Sequence, residues 1–280
     1  MPERFGARLR AAMERRGQLC VGIDPHPGLL ARWGLNDDAA GLERFSLTVL
    51  DAVGEQAAAV KPQVALYERH GSAGMAVLER LLAACSEASV LSIADAKRGD
   101  IGSTMAAYAD AWLRDGSALA ADAVTLSPYL GFESLRPALD LAAGTGRGVF
   151  VLALTSNPEG ASVQHVGTAD SGRSVAGRIV DAAAAENAAA GGDLGYVGLV
   201  VGATVGTALT DLELDLAASR APLLAPGLGA QGATAEDLRK TFAAAYPNVL
   251  ATSSRGILQA GPDPKALREA AQRTVQELAG

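Results

Sequence analysis

Eight mostly apolar runs of four to six residues, each followed by a segment of helical periodicity, limit the folds that this chain can adopt. Runs of this length are typical of strands buried on both faces, and strands that alternate with helices form parallel sheets. The 280 residues are enough for one large α/β domain. We therefore predict a single (β/α)8 barrel, the TIM barrel, over residues 1–280. Its strands are predicted at 19–23, 57–61, 90–94, 123–126, 149–154, 196–201, 222–226 and 249–252.

A doubly wound open sheet is the competing arrangement of the same elements. Its dinucleotide-binding version carries Gly-x-Gly-x-x-Gly after the first strand. The sequence after residue 23 lacks that motif, which weighs against a dinucleotide-binding sheet.

Local patterns predict several details of the connections. The spacing of Leu209, Leu212 and Leu216 predicts a helix after the sixth run, and Ser103 is a good N-cap for the helix after the third. Residues of about 155–170 form a long polar segment that we interpret as a loop. Residues 234–237 resemble a capping box, with aspartate in place of the usual glutamate.

The third run ends in a group of charged residues. In a strand, Leu91, Ile93, Asp95 and Lys97 share one face. Burying a charge is costly unless it is paired, so a salt-bridged strand end is the simplest interpretation. The carboxyl ends of strands are, however, where α/β folds keep their catalytic residues, which favours catalysis as the alternative.

Polar residues also lie at or just after the carboxyl ends of several other predicted strands. In a barrel they would share one mouth, and opposite charges around its rim would pair with one another. Each alone is more often structural, but four charged residues at three successive strand ends favour an active site. The candidates are Asp24, Lys61, Asp95 and Lys97 after the first three strands, Thr155, Ser156 and Asn157 after the fifth, Gln231 after the seventh and Arg255 after the eighth.

A phosphate site is predicted from the last two strands. Residues 225–232 form a glycine-rich loop, and Arg255 follows the eighth strand. Barrel enzymes often bind phosphate between these two loops, where backbone N–H groups and an arginine contact the oxygens. Most glycine-rich loops are only turns, so Arg255 carries much of this prediction.

Composition excludes several classes of function. A net charge of −7 and a pI near 5.1 argue against nucleic-acid or anionic-membrane partners, although an anionic small substrate needs only local positive charge. No apolar run reaches membrane-spanning length and no signal peptide is visible, so we expect a cytoplasmic protein. Cys20 and Cys85 lie in apolar patterns and are interpreted as buried thiols. The histidines lack metal-ligand spacing, so no metal site is predicted; they are His26, His70 and His165.

Four motifs together resemble orotidine 5'-phosphate decarboxylase. The similarity covers about residues 19–258, and it is greatest to the longer bacterial members of that family. The specific match is Asp-x-Lys-x-x-Asp at 95–100, preceded by Lys61 and Asp24. The motifs lie at 22–24, 60–63, 95–104 and 226–232.

The resemblance implies a homodimeric barrel that converts orotidine 5'-monophosphate to UMP and carbon dioxide in pyrimidine biosynthesis, without metal or organic cofactor. It implies that Lys97 donates the proton to C6 of the pyrimidine and that Asp95 lies beside the departing carboxylate. Lys61 would orient Asp95 and touch the ribose, and Asp24 would hydrogen-bond the ribose.

The resemblance also implies roles for residues in the loops. Asp100 and Thr104 would reach into the partner subunit's site, so that each site needs two chains. Ser156 would meet the pyrimidine edge, with Thr155 and Asn157 as alternatives because the loop is longer than in short members. Gln231 and Arg255 would hold the phosphate; Ser254 stands before that arginine, where many members have glycine.

Two other functions remain as alternatives. One is a magnesium-dependent decarboxylase, aldolase or epimerase of keto-sugar phosphates on the same barrel. The other is a nucleotide-binding barrel without catalysis, which we would expect to have lost Lys97 or Asp95; both are present.

Overall fold

The computed structural model describes residues 3–167, 172–229 and 232–280. Eight parallel strands follow one another in sequence order around a closed barrel. They are β1 (Leu19–Ile23), β2 (Ala59–Pro62), β3 (Leu91–Arg98), β4 (Ala123–Leu126), β5 (Gly148–Leu154), β6 (Val197–Val201), β7 (Leu223–Pro226) and β8 (Val249–Ser253). The pairing of Cys20 on β1 with Thr252 on β8 closes the ring, which confirms the barrel and rules out the open sheet.

Helices surround this barrel. They are α1 (Phe5–Arg16), α2 (Pro27–Arg32), α3 (Ala39–Val53), α4 (Ala65–Glu68), α5 (Gly71–Glu87), α6 (Gly102–Leu113), α7 (Arg136–Thr145), α8 (Ala161–Gln164), α9 (Val175–Ala190), α10 (Ala208–Asp211), α11 (Ala235–Phe242), α12 (Arg255–Leu258) and α13 (Pro264–Ala279), with 3-10 turns at Phe132–Leu135, Pro158–Gly160 and Ala243–Asn248. No helix in the described ranges has both the length and the apolarity needed to cross a membrane.

The core lies between the strands and the helices. Every residue of β1, β2, β4, β6 and β8 is buried, as expected for a parallel sheet covered on its outer face. At the amino-terminal end of the barrel, the ring of Phe5 meets Phe150 edge to face, with 5.9 Å between centroids. Gly148 leaves the room for this ring, because a Cβ there would lie 2.2 Å from Phe5 Cδ1. Both cysteines are buried and unpaired, as predicted.

The helix predicted through Leu216 is wrong. After β6 only α10 is helical, and the chain then turns at Glu213, whose φ is +53°. Leu214 and Leu216 are buried from this turn rather than from a helix face. The spacing of the leucines alone did not distinguish a helix from a turn, because a non-helical segment can also bury leucines in the core.

Of three other local predictions, two are wrong or incomplete and one is confirmed. Ser103 is not an N-cap: α6 begins at Gly102 after Ile101, and no side chain caps it. The segment after β5 is not only a loop, because it contains a 3-10 turn and α8. The capping box is confirmed, since Thr234 and Asp237 each accept a hydrogen bond from the other's backbone N–H.

Candidate active site

A cavity of about 370 Å³ opens at the carboxyl ends of the strands. The closed barrel brings to it side chains that are far apart in sequence. Six of the candidates named from the sequence line its wall: Asp24, Lys61, Asp95, Lys97, Thr155 and Arg255. Leu152, Val200 and Leu224 contribute apolar surface.

Asp95 is the centre of the charged network. Its Oδ2 accepts hydrogen bonds from Lys61 Nζ at 2.7 Å and from Gln63 Nε2 at 3.3 Å. Its Oδ1 accepts from Lys97 Nζ at 2.6 Å and from Thr125 Oγ1 at 3.0 Å. Four donors from three strands and from the segment after β2 therefore hold this buried carboxylate in one orientation.

The charges of this network stabilise one another. Burial works to raise the pKa of Asp95, but the positive charges of Lys61 and Lys97 outweigh it and hold this pKa at about 2. Burial works to lower the pKa of Lys61, but the carboxylates of Asp95 and Asp24 outweigh it and raise that pKa above the usual range of lysine. Asp95 is thus an anion and Lys61 a cation at neutral pH.

The two lysines differ in their access to solvent. The Lys61 side chain is 7% exposed, whereas that of Lys97 is 45% exposed. Lys61 is therefore fixed inside the barrel wall. Lys97 presents its ammonium to the cavity, where a bound molecule could contact it and exclude water from it.

Asp24 ends the first strand with an unsatisfied acceptor. Its Oδ1 is buried and has no hydrogen-bond partner in the described part of the chain. A buried acceptor without a donor is unfavourable, so the carboxylate is suited to bind a donor such as a sugar hydroxyl. Gly22, two residues earlier, makes room here, because a Cβ at that position would lie 2.8 Å from Ser254 Cβ.

The segments that follow β7 and β8 contribute the predicted phosphate site to the same cavity. Gly227 and Leu228 after β7 line it together with Ser254 and Arg255 at the start of α12. Arg255 is exposed, and none of the ion pairs found in the described ranges involves it. Its guanidinium is therefore available to an anion. Gln231 lies outside the described residues.

Three predicted residues do not line this cavity within one chain. Asp100 accepts a hydrogen bond from the backbone N–H of Ile101 at 2.8 Å, and Thr104 is exposed on α6. Ser156 is exposed beside the cavity, whereas Thr155 lines it. Thr155 is held by Gln164, whose Oε1 accepts from its backbone N–H and whose Nε2 donates to its hydroxyl, each at 2.8 Å.

The sequence interpretation missed several polar residues of the site. Thr125 and Gln63 contact Asp95, and Thr252, Ser254 and His26 line the cavity. A threonine within the apolar run 123–126 was the available signal for Thr125. No group of three or more His, Cys, Asp or Glu side chains suited to a metal ion occurs in the ranges that the structure describes.

Comparison with known proteins identifies the family. The model of the orotidine 5'-phosphate decarboxylase / HUMPS family matches residues 17–270. The chain belongs to this family. The resemblance stated from the sequence motifs is thereby confirmed.

Relatives at high identity refine the position within the family. The chain is 58% identical over 275 residues to the orotidine 5'-phosphate decarboxylase of Salinispora arenicola, covering 98% of this chain and 97% of that protein. It is 56% identical over 276 residues to that of Streptomyces coelicolor, covering 99% and 97%. The similarity therefore extends beyond the barrel motifs to nearly the whole chain.

Solved structures share the fold. A crystal structure from Streptomyces avermitilis matches with a TM-score of 0.94 at 58% identity, covering 99% of this chain and 95% of that chain. The OMP decarboxylase of Leishmania donovani matches with a TM-score of 0.78 at 31% identity, covering 99% and 98%.

Proposed function

We propose that the network around Asp95 and Lys97 is the catalytic centre for decarboxylation of orotidine 5'-monophosphate, the reaction by which this chain produces UMP in pyrimidine synthesis. Relatives of 58% identity over nearly the whole chain support this reaction. The observation that carries the assignment of the site is the 2.6 Å ion pair between Lys97 Nζ and Asp95 at the cavity wall.

The reaction requires stabilisation of charge on carbon. When the bond between C6 and the carboxylate breaks, carbon dioxide leaves and the electron pair stays on C6, where the ring does not delocalise it well. A fixed ammonium next to C6 stabilises that charge without reorganisation. The Lys97 ammonium then donates its proton to C6, and its 45% exposed side chain can regain a proton from water after product release.

Asp95 would act on the substrate through its negative charge. Since its pKa is about 2, it is ionised when substrate binds, and it repels the substrate carboxylate. Two unit charges about 4 Å apart interact by about 4 kcal/mol at an effective dielectric constant of ~20, which corresponds to roughly three powers of ten in rate. Difficult reactions need more than this, so we rank carbanion stabilisation by Lys97 first and repulsion second.

The remaining cavity residues bind and orient the nucleotide. Lys61 keeps Asp95 in place through its 2.7 Å hydrogen bond. The unpartnered Oδ1 of Asp24 would accept a hydrogen bond from a ribose hydroxyl. Arg255 and the loop after β7, with Gln231, would bind the phosphate, whose remote binding energy helps to close the site around C6.

A second chain would complete each site. Asp100 and Thr104 lie off the cavity of their own chain, on the segment after β3. The neighbouring segment after β4 runs beside it, because a Cβ on Gly99 would lie 2.2 Å from the carbonyl oxygen of Ser127. Three large hydrophobic side chains of these two segments are exposed: Ile101 by 62%, Tyr129 by 80% and Leu130 by 54%.

Such a patch is typical of a protein interface. A two-fold dimer that buries it would exchange Asp100 and Thr104 reciprocally between the two subunits. We therefore propose a homodimer with shared active sites. No metal or organic cofactor enters this mechanism.

A direct assay distinguishes this function from its alternatives. We expect purified protein to consume orotidine 5'-monophosphate, measured by loss of its absorbance, at the same rate with and without excess EDTA. A magnesium-dependent keto-sugar phosphate enzyme would lose its activity in EDTA, and a non-catalytic barrel would consume nothing. Either result would contradict the proposal.

Replacement of Arg255 tests the phosphate site. We expect Arg255→Ala to raise KM strongly and to lower kcat/KM by roughly 30- to 1000-fold, the equivalent of about 2–4 kcal/mol for a lost charged hydrogen-bond partner. Added phosphite should partly restore turnover of orotidine, which lacks the phosphate. Arg268→Ala, an exposed arginine on α13, is the matched control and should leave kcat/KM unchanged. If Arg255→Ala affects only stability, the phosphate binds elsewhere.

A further inference from the structure

The pairing between β3 and β4 contains an irregularity next to the catalytic residues. Ala94 pairs with Val124 and Arg98 pairs with Leu126. Three residues of β3, 95–97, therefore lie opposite one residue of β4, Thr125. Within this stretch Lys97 has a φ of +49°, a left-handed conformation that residues other than glycine rarely adopt.

The Thr125 side chain spans this irregularity. Its hydroxyl oxygen accepts a hydrogen bond from the backbone N–H of Lys97 at 2.9 Å. The same hydroxyl donates to Asp95 Oδ1 at 3.0 Å. Since that Oδ1 also accepts from Lys97 Nζ at 2.6 Å, the three residues form a closed ring of hydrogen bonds.

Thr125 itself is shielded from the substrate. It is 1% exposed and is not among the residues that line the cavity in the described part of the chain. Any effect on the reaction must therefore pass through Asp95 or Lys97. Lys61 and Gln63 hold the other carboxylate oxygen, so Thr125 is the group that fixes the oxygen facing Lys97.

We infer that Thr125 is a positioning residue for the decarboxylation, whose hydroxyl holds the Asp95 carboxylate and the strained Lys97 backbone in the geometry that directs Nζ at C6. This inference rests on the roles proposed above for Asp95 and Lys97. A small loss of orientation at the reacting atoms is sufficient to lower kcat, because proton donation and charge stabilisation both depend on distance.

A purely structural role for Thr125 makes a different prediction. Valine has nearly the same shape as threonine and would fill the same space in the barrel wall, but it leaves the Lys97 N–H and one Asp95 site unpaired. If the hydroxyl serves only stability, Thr125→Val lowers the melting temperature and leaves kcat per folded protein unchanged.

The test compares Thr125→Val, Thr125→Ser and the control Val124→Ala, which shortens a buried side chain on the same strand. We expect Thr125→Val to lower kcat by roughly 10- to 100-fold, the range for one lost hydrogen bond to a charged group. KM and the dissociation constant of UMP should change by less than about threefold. Thr125→Ser, which keeps the hydroxyl, should retain kcat within about fivefold of the parent enzyme. Val124→Ala should lower the melting temperature without lowering kcat.

Two results would overturn the inference: a Thr125→Val enzyme whose kcat stays within about twofold of the parent, or a Val124→Ala enzyme that loses as much kcat. If Thr125→Val does not fold, Thr125→Ala compared with Thr125→Ser gives the same contrast. Failure of the proposed chemistry can be distinguished from failure of this inference. If the proposed chemistry is wrong, the Lys97→Ala enzyme remains active. If only the role of Thr125 is wrong, Lys97→Ala is inactive and Thr125→Val is active.

Discussion

Lys97→Ala should abolish decarboxylation while binding of UMP remains measurable. In the proposed mechanism, the substitution removes both the ammonium that stabilises charge at C6 and the proton that C6 receives. Loss of a positioned acid costs about 10²- to 10⁴-fold and loss of a charge-stabilising group about 10²- to 10³-fold, so kcat should fall by at least ~10⁴-fold. Steady-state turnover measured by absorbance, together with a UMP titration, checks both parts.

The fold should survive this change. The Lys97 side chain is 45% exposed, and Asp95 keeps its bonds to Lys61, Gln63 and Thr125. Lys265→Ala is a suitable control, because the side chain of that lysine is 80% exposed and its ammonium lies 4.0 Å from Glu269 on the surface of α13. A Lys97→Ala enzyme with more than a few per cent of the parent kcat would remove Lys97 from the role of proton donor.

Mixing two inactive variants should restore activity if the site is shared. Asp100→Ala and Lys97→Ala should each be nearly inactive alone. In a mixed dimer, one site has Lys97 from one chain and Asp100 from the other, both intact, and the second site has neither. With random pairing about half of the dimers are mixed, so activity should recover toward about a quarter of the parent level.

The control for this experiment is a mixture of Lys97→Ala with Asp95→Asn. In the proposed dimer both residues act in the site of their own chain, so no mixed dimer would have a complete site and the activity should stay near zero. Subunit exchange is followed by mass in both mixtures. If exchange occurs and the first mixture stays inactive, Asp100 acts within its own chain and the shared-site proposal is wrong.

The sequence by itself was sufficient to predict the strands of the barrel and the charged residues that follow them. Apolar runs bounded by polar residues report burial locally, and the alternation of side chains along β3 is a property of one strand. Asp24, Lys61, Asp95, Lys97 and Arg255 could therefore be named from their positions alone, and all five line one cavity. The motif resemblance then predicted the family that the comparisons confirm.

Only the tertiary structure decided how these residues meet. Closure of the barrel depends on the pairing of β1 with β8, which lie more than 200 residues apart and leave no local pattern. The left-handed backbone of Lys97 depends on its register with β4, so its partner Thr125 could not be identified from either strand alone. The positions of turns likewise depend on packing against the folded core. The helix after β6 was predicted to run through Leu216, but it ends at Asp211.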